Sequence, residues 1–243
     1  MLIAILVRRE PRYPAAFFGH AINPVKQAYD FHFINQVGVE KRLSRWRGKV
    51  LLFFFGFTHC PNICPTTLMN LREAYDTLGP ADRDQVRIAF ISVDPRREPA
   101  QLKEYLSYFD PAFVGLTGSK EEIDRATGAS GGSYAFVHKP GDPPYEYNVM
   151  HSANIYLINP KGEWELIYNV QQLQQPAKVA ADIESILHER PTNDRRKGDY
   201  EPLGSGTRTS YRPSTRVRKI TRVLATFRKD VWVDPLLATF ATV

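Results

Sequence analysis

Along the first 190 residues the spacing of apolar positions switches between two periods. Residues 50–55 are six apolar, β-prone residues in succession, closed by Gly56, the pattern of a strand buried on both faces. Residues 65–78 then carry Leu68, Met69, Leu71, Tyr75 and Leu78 at helical spacing, with Pro65 suited to a first turn and Gly79-Pro80 as the stop. Residues 85–93 predict a second strand ended by Asp94-Pro95, and residues 98–109 a helix with Leu102, Tyr105, Leu106 and Phe109 on one side. A short strand over 112–116 precedes a helix over 119–127, with Ser119 as N-cap and Glu121 and Glu122 in its first turn. Residues 134–137 read as a strand and 139–147, with three prolines, as a loop. Residues 151–158 and 163–168 then form a hairpin over Asn159-Pro160-Lys161-Gly162. A helix over 176–188 closes the pattern.

Before the first strong strand the pattern is weaker. Residues 29–34 alternate and predict a strand, followed by a turn at Gln36-Val37-Gly38. Residues 11–24 are rich in proline and aromatics and read as irregular. Three βα pairs, then a hairpin and a last helix, describe an α/β fold: a thioredoxin-like central sheet flanked by helices, with an inserted β-hairpin and irregular terminal extensions. The division that follows is an irregular lead-in over 1–28, a thioredoxin-like domain over 29–190 and a tail over 191–243.

Charge sharpens that division. The net charge is +6. Residues 191–243 hold 11 basic and 5 acidic residues, which is the whole excess, so the first 190 are balanced. A nucleic-acid-binding domain, which carries a basic face, is not indicated. Gly204-Ser205-Gly206 and the scattered arginines predict a disordered tail, with contact to an anionic membrane surface as the alternative. No stretch approaches the roughly 20 apolar residues of a membrane span. The seven apolar residues before Arg8 are too few for an anchor and lack the order of a signal peptide.

The chemistry concentrates between the first strong strand and the helix after it. Cys60 and Cys64 are the only cysteines, and both fall on that loop. A helix N-terminus lowers a nearby thiol pKa, which predicts partial thiolate character for Cys64. Two thiols four apart fit a soft metal ion, a reversible disulfide, or attack on a partner's disulfide. A structural zinc site normally takes four ligands and only two cysteines exist. Two structural cysteines are the plain alternative. Of the six histidines, His188 reads as structural near a helix C-terminus, and His59 neighbours Cys60 but points elsewhere in an extended segment. His151, at the start of a strand, can face the cysteine loop in a thioredoxin-like sheet. Two thiolates and one imidazole form a soft, low-coordinate set that suits Cu(I) and holds Cu(II) with a further ligand.

Four separated stretches carry a resemblance: GFTHCPNICP at 56–65, FISVDP at 90–95, FVGLTGSKEEID at 113–124 and MHSANIYLINPKGE at 150–163. Together they resemble the Sco/SenC family of copper-binding proteins, over residues 30–189. The resemblance implies a thioredoxin-like fold, copper as the bound ion, and Cys60, Cys64 and His151 as its ligands, with Asp94 near the site. It also implies work on the binuclear copper centre of cytochrome c oxidase, as a copper donor to the centre's subunit or as a thiol–disulfide reductant of its cysteines. An upstream copper donor and a periplasmic or mitochondrial inner-membrane location are implied with it. The chain departs from the family pattern at Met150, where many members have Asp, and in its long basic tail.

Overall fold

The computed structural model describes residues 17–188, apart from 99, 100, 142, 144 and 145. The expected N-terminal apolar tip and the expected basic tail lie outside the described residues. Ten strands run in chain order: β1 (His20–Gln27), β2 (His32–Asn35), β3 (Glu40–Arg42), β4 (Val50–Gly56), β5 (Val86–Ser92), β6 (Val114–Thr117), β7 (Tyr134–Val137), β8 (Asn148–His151), β9 (Ile155–Ile158) and β10 (Glu163–Tyr168). The helices are α1 (Ile63–Thr77), α2 (Pro80–Asp84), α3 (Leu102–Ser107), α4 (Lys120–Ala129), α5 (Val170–Leu173) and α6 (Pro176–Leu187), with one 3-10 turn at Leu43–Trp46.

Eight strands form one sheet in the order β1-β10-β9-β4-β5-β6-β2-β3. β4, β5 and β6 are parallel, and β9 runs antiparallel to β4 on its other side. The fold is thioredoxin-like, as the pattern predicts. Every residue of β4 is buried, because both faces of the sheet are covered. Leu51, Phe53 and Phe55 join Phe31, Ile91, Tyr156 and Trp164 on one face. Phe54 meets Phe90 edge-on at 5.2 Å on the other, and Phe90 contacts Tyr105 of α3. Burying one such ring contributes roughly 1.5–3 kcal/mol, so β4 is the spine on which the loops after it are held.

Several boundaries differ from the pattern's expectation, each for a local reason. The segment read as an irregular lead-in contains β1, which pairs with β10 at the sheet edge. Its side chains are largely exposed, so it shows no apolar alternation, and an edge strand tolerates Pro24. Buried Asp182 of α6 anchors its start by accepting from the Phe18 and Gly19 N–H groups at 3.1 and 2.9 Å and from the Tyr168 hydroxyl at 3.1 Å. The expected strand at 29–34 is displaced to β2. α3 starts at Leu102 rather than at Glu98, which belongs to a turn closed by Glu98 N–H donating to the Asp94 carbonyl at 3.2 Å. Pro80 ends one helix and opens another, α2. The expected strand over 151–158 is broken at residues 152–154: His151 ends β8, which pairs with β7 in a separate two-stranded sheet, and β9 belongs to the main sheet.

This topology brings three chain segments to one end of the molecule. β4 and β5 are parallel, with Gly56 beside Ser92, so the cysteine loop and the Asp94–Glu98 turn leave the sheet side by side. β9 is antiparallel, with Phe54 opposite Ile155, so the segment just before Ile155 arrives at the same place and carries His151.

Candidate metal centre

The loop after β4 is shaped by what its residues can pair. α1 begins at Ile63, with Asn62 as its N-cap and no side-chain cap bond. Pro65 therefore sits at the third helical position, inside the first turn, and Cys64 at the second. The Cys64 N–H, one of the helix's unpaired first-turn donors, points at Cys60 Sγ, 3.5 Å away. Cys64 itself is fully buried and Cys60 is partly exposed. Gly56 makes room for Cys64: a Cβ at that position would lie 2.7 Å from its Sγ.

His151 completes the group. Its Nε2 lies 3.5 Å from Cys64 Sγ, and its ring meets Phe57 edge-on at 5.9 Å. Its Nδ1 lies 3.1 Å from the Ser152 carbonyl oxygen. A carbonyl can only accept, so Nδ1 donates to it and Nε2 is the nitrogen that faces the sulfurs. One ligand atom each from Cys60, Cys64 and His151 lie within 4.8 Å of one another. Two sulfurs and an imidazole nitrogen are a soft donor set that fits Cu(I).

The electrostatics reverse one expectation from the sequence. Cys60, not Cys64, is the thiolate. Its pKa is lowered to about 4, chiefly by a hydrogen bond from the Cys64 side chain and further by His151 and by the N–H groups of Cys64 and Asn62, against the opposing effect of burial. Burial pushes the Cys64 thiol well above its ordinary range, and the Cys60 sulfur raises it further. The helix N-terminus does act on a thiol, but on the one its N–H groups point at rather than the one within its first turn.

Asp94 lies outside the ligand group and is fully buried. Its Oδ1 accepts from the Tyr147 hydroxyl at 2.7 Å and its Oδ2 pairs with Arg97 Nε at 2.5 Å. The Arg97 guanidinium also lies 4.0 Å from the centre of the Tyr147 ring. His59 is apart from the three-residue group. Burial and Arg97 lower its pKa, with Asp94 opposing, and its Nδ1 lies 3.2 Å from Thr58 Oγ1. Met150 is 65% exposed on the face of β8 opposite the buried Val149. His188 pairs with Asp82 at 2.9 Å, a structural contact.

Glu98 is the residue the sequence did not signal. It is 3% exposed, and Oε1 accepts from the Thr58 N–H at 2.9 Å. Burial raises its pKa to about 7, opposed by the Thr58 bond. In the sequence it stands among Pro95, Arg96, Arg97 and Pro99, where a charged residue reads as surface. Its position four after Asp94 is the one available signal, since residues four apart share one side of a helical turn.

A model of the family described as SCO1/SenC matches residues 20–188. The chain belongs to that family. An SCO2-like protein of Rickettsia conorii is 40% identical over 141 residues, covering 58% of this chain and 68% of its own. The solution structure of apo Sco1 from Thermus thermophilus superposes with a TM-score of 0.63 at 36% identity, over 70% of this chain and 96% of that one. The structure of Bradyrhizobium japonicum ScoI with copper bound gives a TM-score of 0.59 at 34% identity, over 66% and 99%. Among the described residues no helix is long and apolar enough to cross a membrane.

Proposed function

We propose that this SCO1/SenC protein is a copper metallochaperone that carries Cu(I) on Cys60, Cys64 and His151 to the copper-centre subunit of cytochrome c oxidase. The convergence of those three ligand atoms within 4.8 Å carries the reading, supported by the family's copper-binding members in oxidase assembly. Cu(I) is the cargo. Cys60 is the accessible ligand, so an incoming thiolate of the recipient displaces it first. Cys64, which is fully buried, is displaced afterwards. On loading, Cys64 gives up its thiol proton to solvent-borne base. A Cys60–Cys64 disulfide would remove both thiolates, so only the reduced protein loads. Asp94 shapes the site from outside the ligand group. The place of work is the extracytoplasmic face of an inner membrane, bacterial or mitochondrial, with a separate copper donor upstream.

A second reading, a thiol–disulfide oxidoreductase, is favoured by one observation: a partly exposed thiolate stands beside a buried thiol. The Cys60 thiolate would attack one sulfur of a partner disulfide and release the other as a thiolate. Cys64, deprotonated, would then attack the mixed disulfide, leaving a Cys60–Cys64 disulfide and a reduced partner. His151 takes no part in those electron pairs. Anaerobic mixing of the copper-loaded protein with a reduced copper-centre domain, followed by mass spectrometry, tests the first reading. Copper transfer lost in His151→Ala supports the chaperone. Absence of transfer, with reduction of an oxidised recipient unimpaired in His151→Ala, would replace it by the second.

A further inference from the structure

Two halves of the site come from distant parts of the chain, the thiols from the loop after β4 and the imidazole from β8. Neither half is hydrogen-bonded to the other by backbone. The turn that follows β5 bonds to both segments. It is closed by the Arg97 and Glu98 N–H groups, which donate to the Asp94 carbonyl at 3.3 and 3.2 Å, so the backbone that carries its two carboxylates is held as one turn.

Each end of the turn grips one half. At one end Glu98 Oε1 accepts from the Thr58 N–H at 2.9 Å, two residues before Cys60. At the other, Asp94 Oδ1 accepts from the Tyr147 hydroxyl at 2.7 Å, four residues before His151 and immediately before β8. Arg97 reinforces that end. It pairs with Asp94, donates to the Tyr147 carbonyl at 3.3 Å, and stacks on the Tyr147 ring at 4.0 Å. Arg96 lies over the Phe136 and Tyr147 rings at 5.5 and 5.6 Å, adding hold on the β7–β8 hairpin. Asp94 and Glu98 are both buried, so these part-buried contacts meet less competition from water than surface bonds of the same length.

We propose that the turn from Asp94 to Glu98 is a strut that sets the distance between the thiol loop and His151, with Glu98 and Tyr147 as positioning residues at its two ends. The inference rests on the three-ligand reading of the site. Neither residue is a ligand. Each acts by fixing backbone a few residues from one.

The test uses the whole reduced protein with Cu(I) itself, bound in competition with a chromophoric chelator. It compares the wild type, Glu98→Ala, Glu98→Gln, Tyr147→Phe and the Glu98→Ala/Tyr147→Phe double variant. Supporting contacts behind metal ligands are worth about 10- to 100-fold in affinity, so Glu98→Ala is expected to weaken binding about tenfold. Glu98→Gln, which keeps a carbonyl oxygen for the Thr58 N–H, is expected to stay within about threefold of the wild type. Tyr147→Phe removes only the hydroxyl and is expected to weaken binding by a factor of about three or more. Because one strut carries both effects, the double variant should lose clearly less than the product of the two single losses.

The midpoint potential of the Cys60–Cys64 disulfide supplies a copper-free readout. It is expected to shift in Glu98→Ala, return in Glu98→Gln and stay unchanged in Tyr147→Phe, since the imidazole half takes no part in the disulfide. A merely structural loss would move all variants in proportion to their unfolding midpoints. Single variants with wild-type affinity and potential, or losses that multiply in the double variant, would overturn the strut. Failure of the wild type to bind copper at all would instead sink the three-ligand reading, and the potentials would still decide the Glu98 end. Should Glu98→Ala not fold, Glu98→Met, which fills the same space without an acceptor for the Thr58 N–H, takes its place in both contrasts.

Discussion

Replacing Gly56 by alanine probes how tightly the site is packed from behind. A methyl group there would lie 2.6 Å from Phe90 Cε2 and 2.7 Å from Cys64 Sγ. Carbon contacts are at their best near 3.5–4.0 Å, so each neighbour must retreat by roughly 1 Å. Phe90 has little freedom to do so, being buried against Phe54 and Tyr105. The sulfur is therefore expected to yield, away from its position 3.5 Å from His151 Nε2. Overpacking of this kind costs about 1–3 kcal/mol of stability. A ligand displaced by that much is expected to lose about tenfold or more in Cu(I) affinity, a change of about 1.4 kcal/mol per tenfold. Gly79→Ala is the control, because Gly79 has an ordinary φ of −63° and nothing within 4 Å of where its Cβ would stand. Urea unfolding and Cu(I) competition on both variants decide the matter. If Gly56→Ala matches Gly79→Ala in both, the packing argument for the position of Cys64 is wrong.

Iodoacetamide should alkylate Cys60 and spare Cys64 in the native protein, with Cys60 remaining reactive down to about pH 5 because its thiolate persists to a pKa near 4; peptide mapping reads the site, and preferential labelling of Cys64 would contradict the assignment. Glu98 has a folded pKa of about 7, above its unfolded value of 4.5, so its contribution to stability is complete below pH 4.5 and is lost as pH rises through 7. The stability gap between the wild type and Glu98→Gln is thus expected to move against the wild type by up to about 3 kcal/mol across that window, read from urea unfolding at each pH; a gap independent of pH would refute the shift. Asp182→Ala removes the acceptor for two backbone N–H groups and the Tyr168 hydroxyl and is expected to cost about 3 kcal/mol in urea unfolding, with copper stoichiometry unchanged because none of Cys60, Cys64 and His151 lies on β1 or α6.

The apolar strand at residues 50–55 and the helix behind it are legible because burial on both faces leaves no polar position to blur the signal, and the motifs at 56–65 and 150–163 hold Cys60, Cys64 and His151, whose ligand atoms lie within 4.8 Å of one another. What escaped had physical reasons. β1 shows little alternation because an edge strand with both faces largely wet has no apolar side to repeat. The break after His151 was hidden by apolar residues on either side of it, since β8 buries Val149 and β9 buries all four of its residues. Glu98 is hard to read because its partner, the Thr58 N–H, is forty residues away in the chain, and only its spacing from Asp94 hints at it. The thiolate assignment failed on direction. A helix N-terminus favours the charge its N–H groups face, and a register two residues earlier than expected put Cys64 inside the turn and Cys60 in front of it.

Everything proposed for the site depends on Cys60, Cys64 and His151 acting together on one ion. Anaerobic titration of the reduced protein with Cu(I), run beside His151→Ala, tests it most directly. One equivalent held tightly by the wild type, and far more weakly once the imidazole is gone, is the predicted result. No binding, or binding indifferent to His151, would contradict the account and leave thiol–disulfide chemistry at Cys60 and Cys64 in its place.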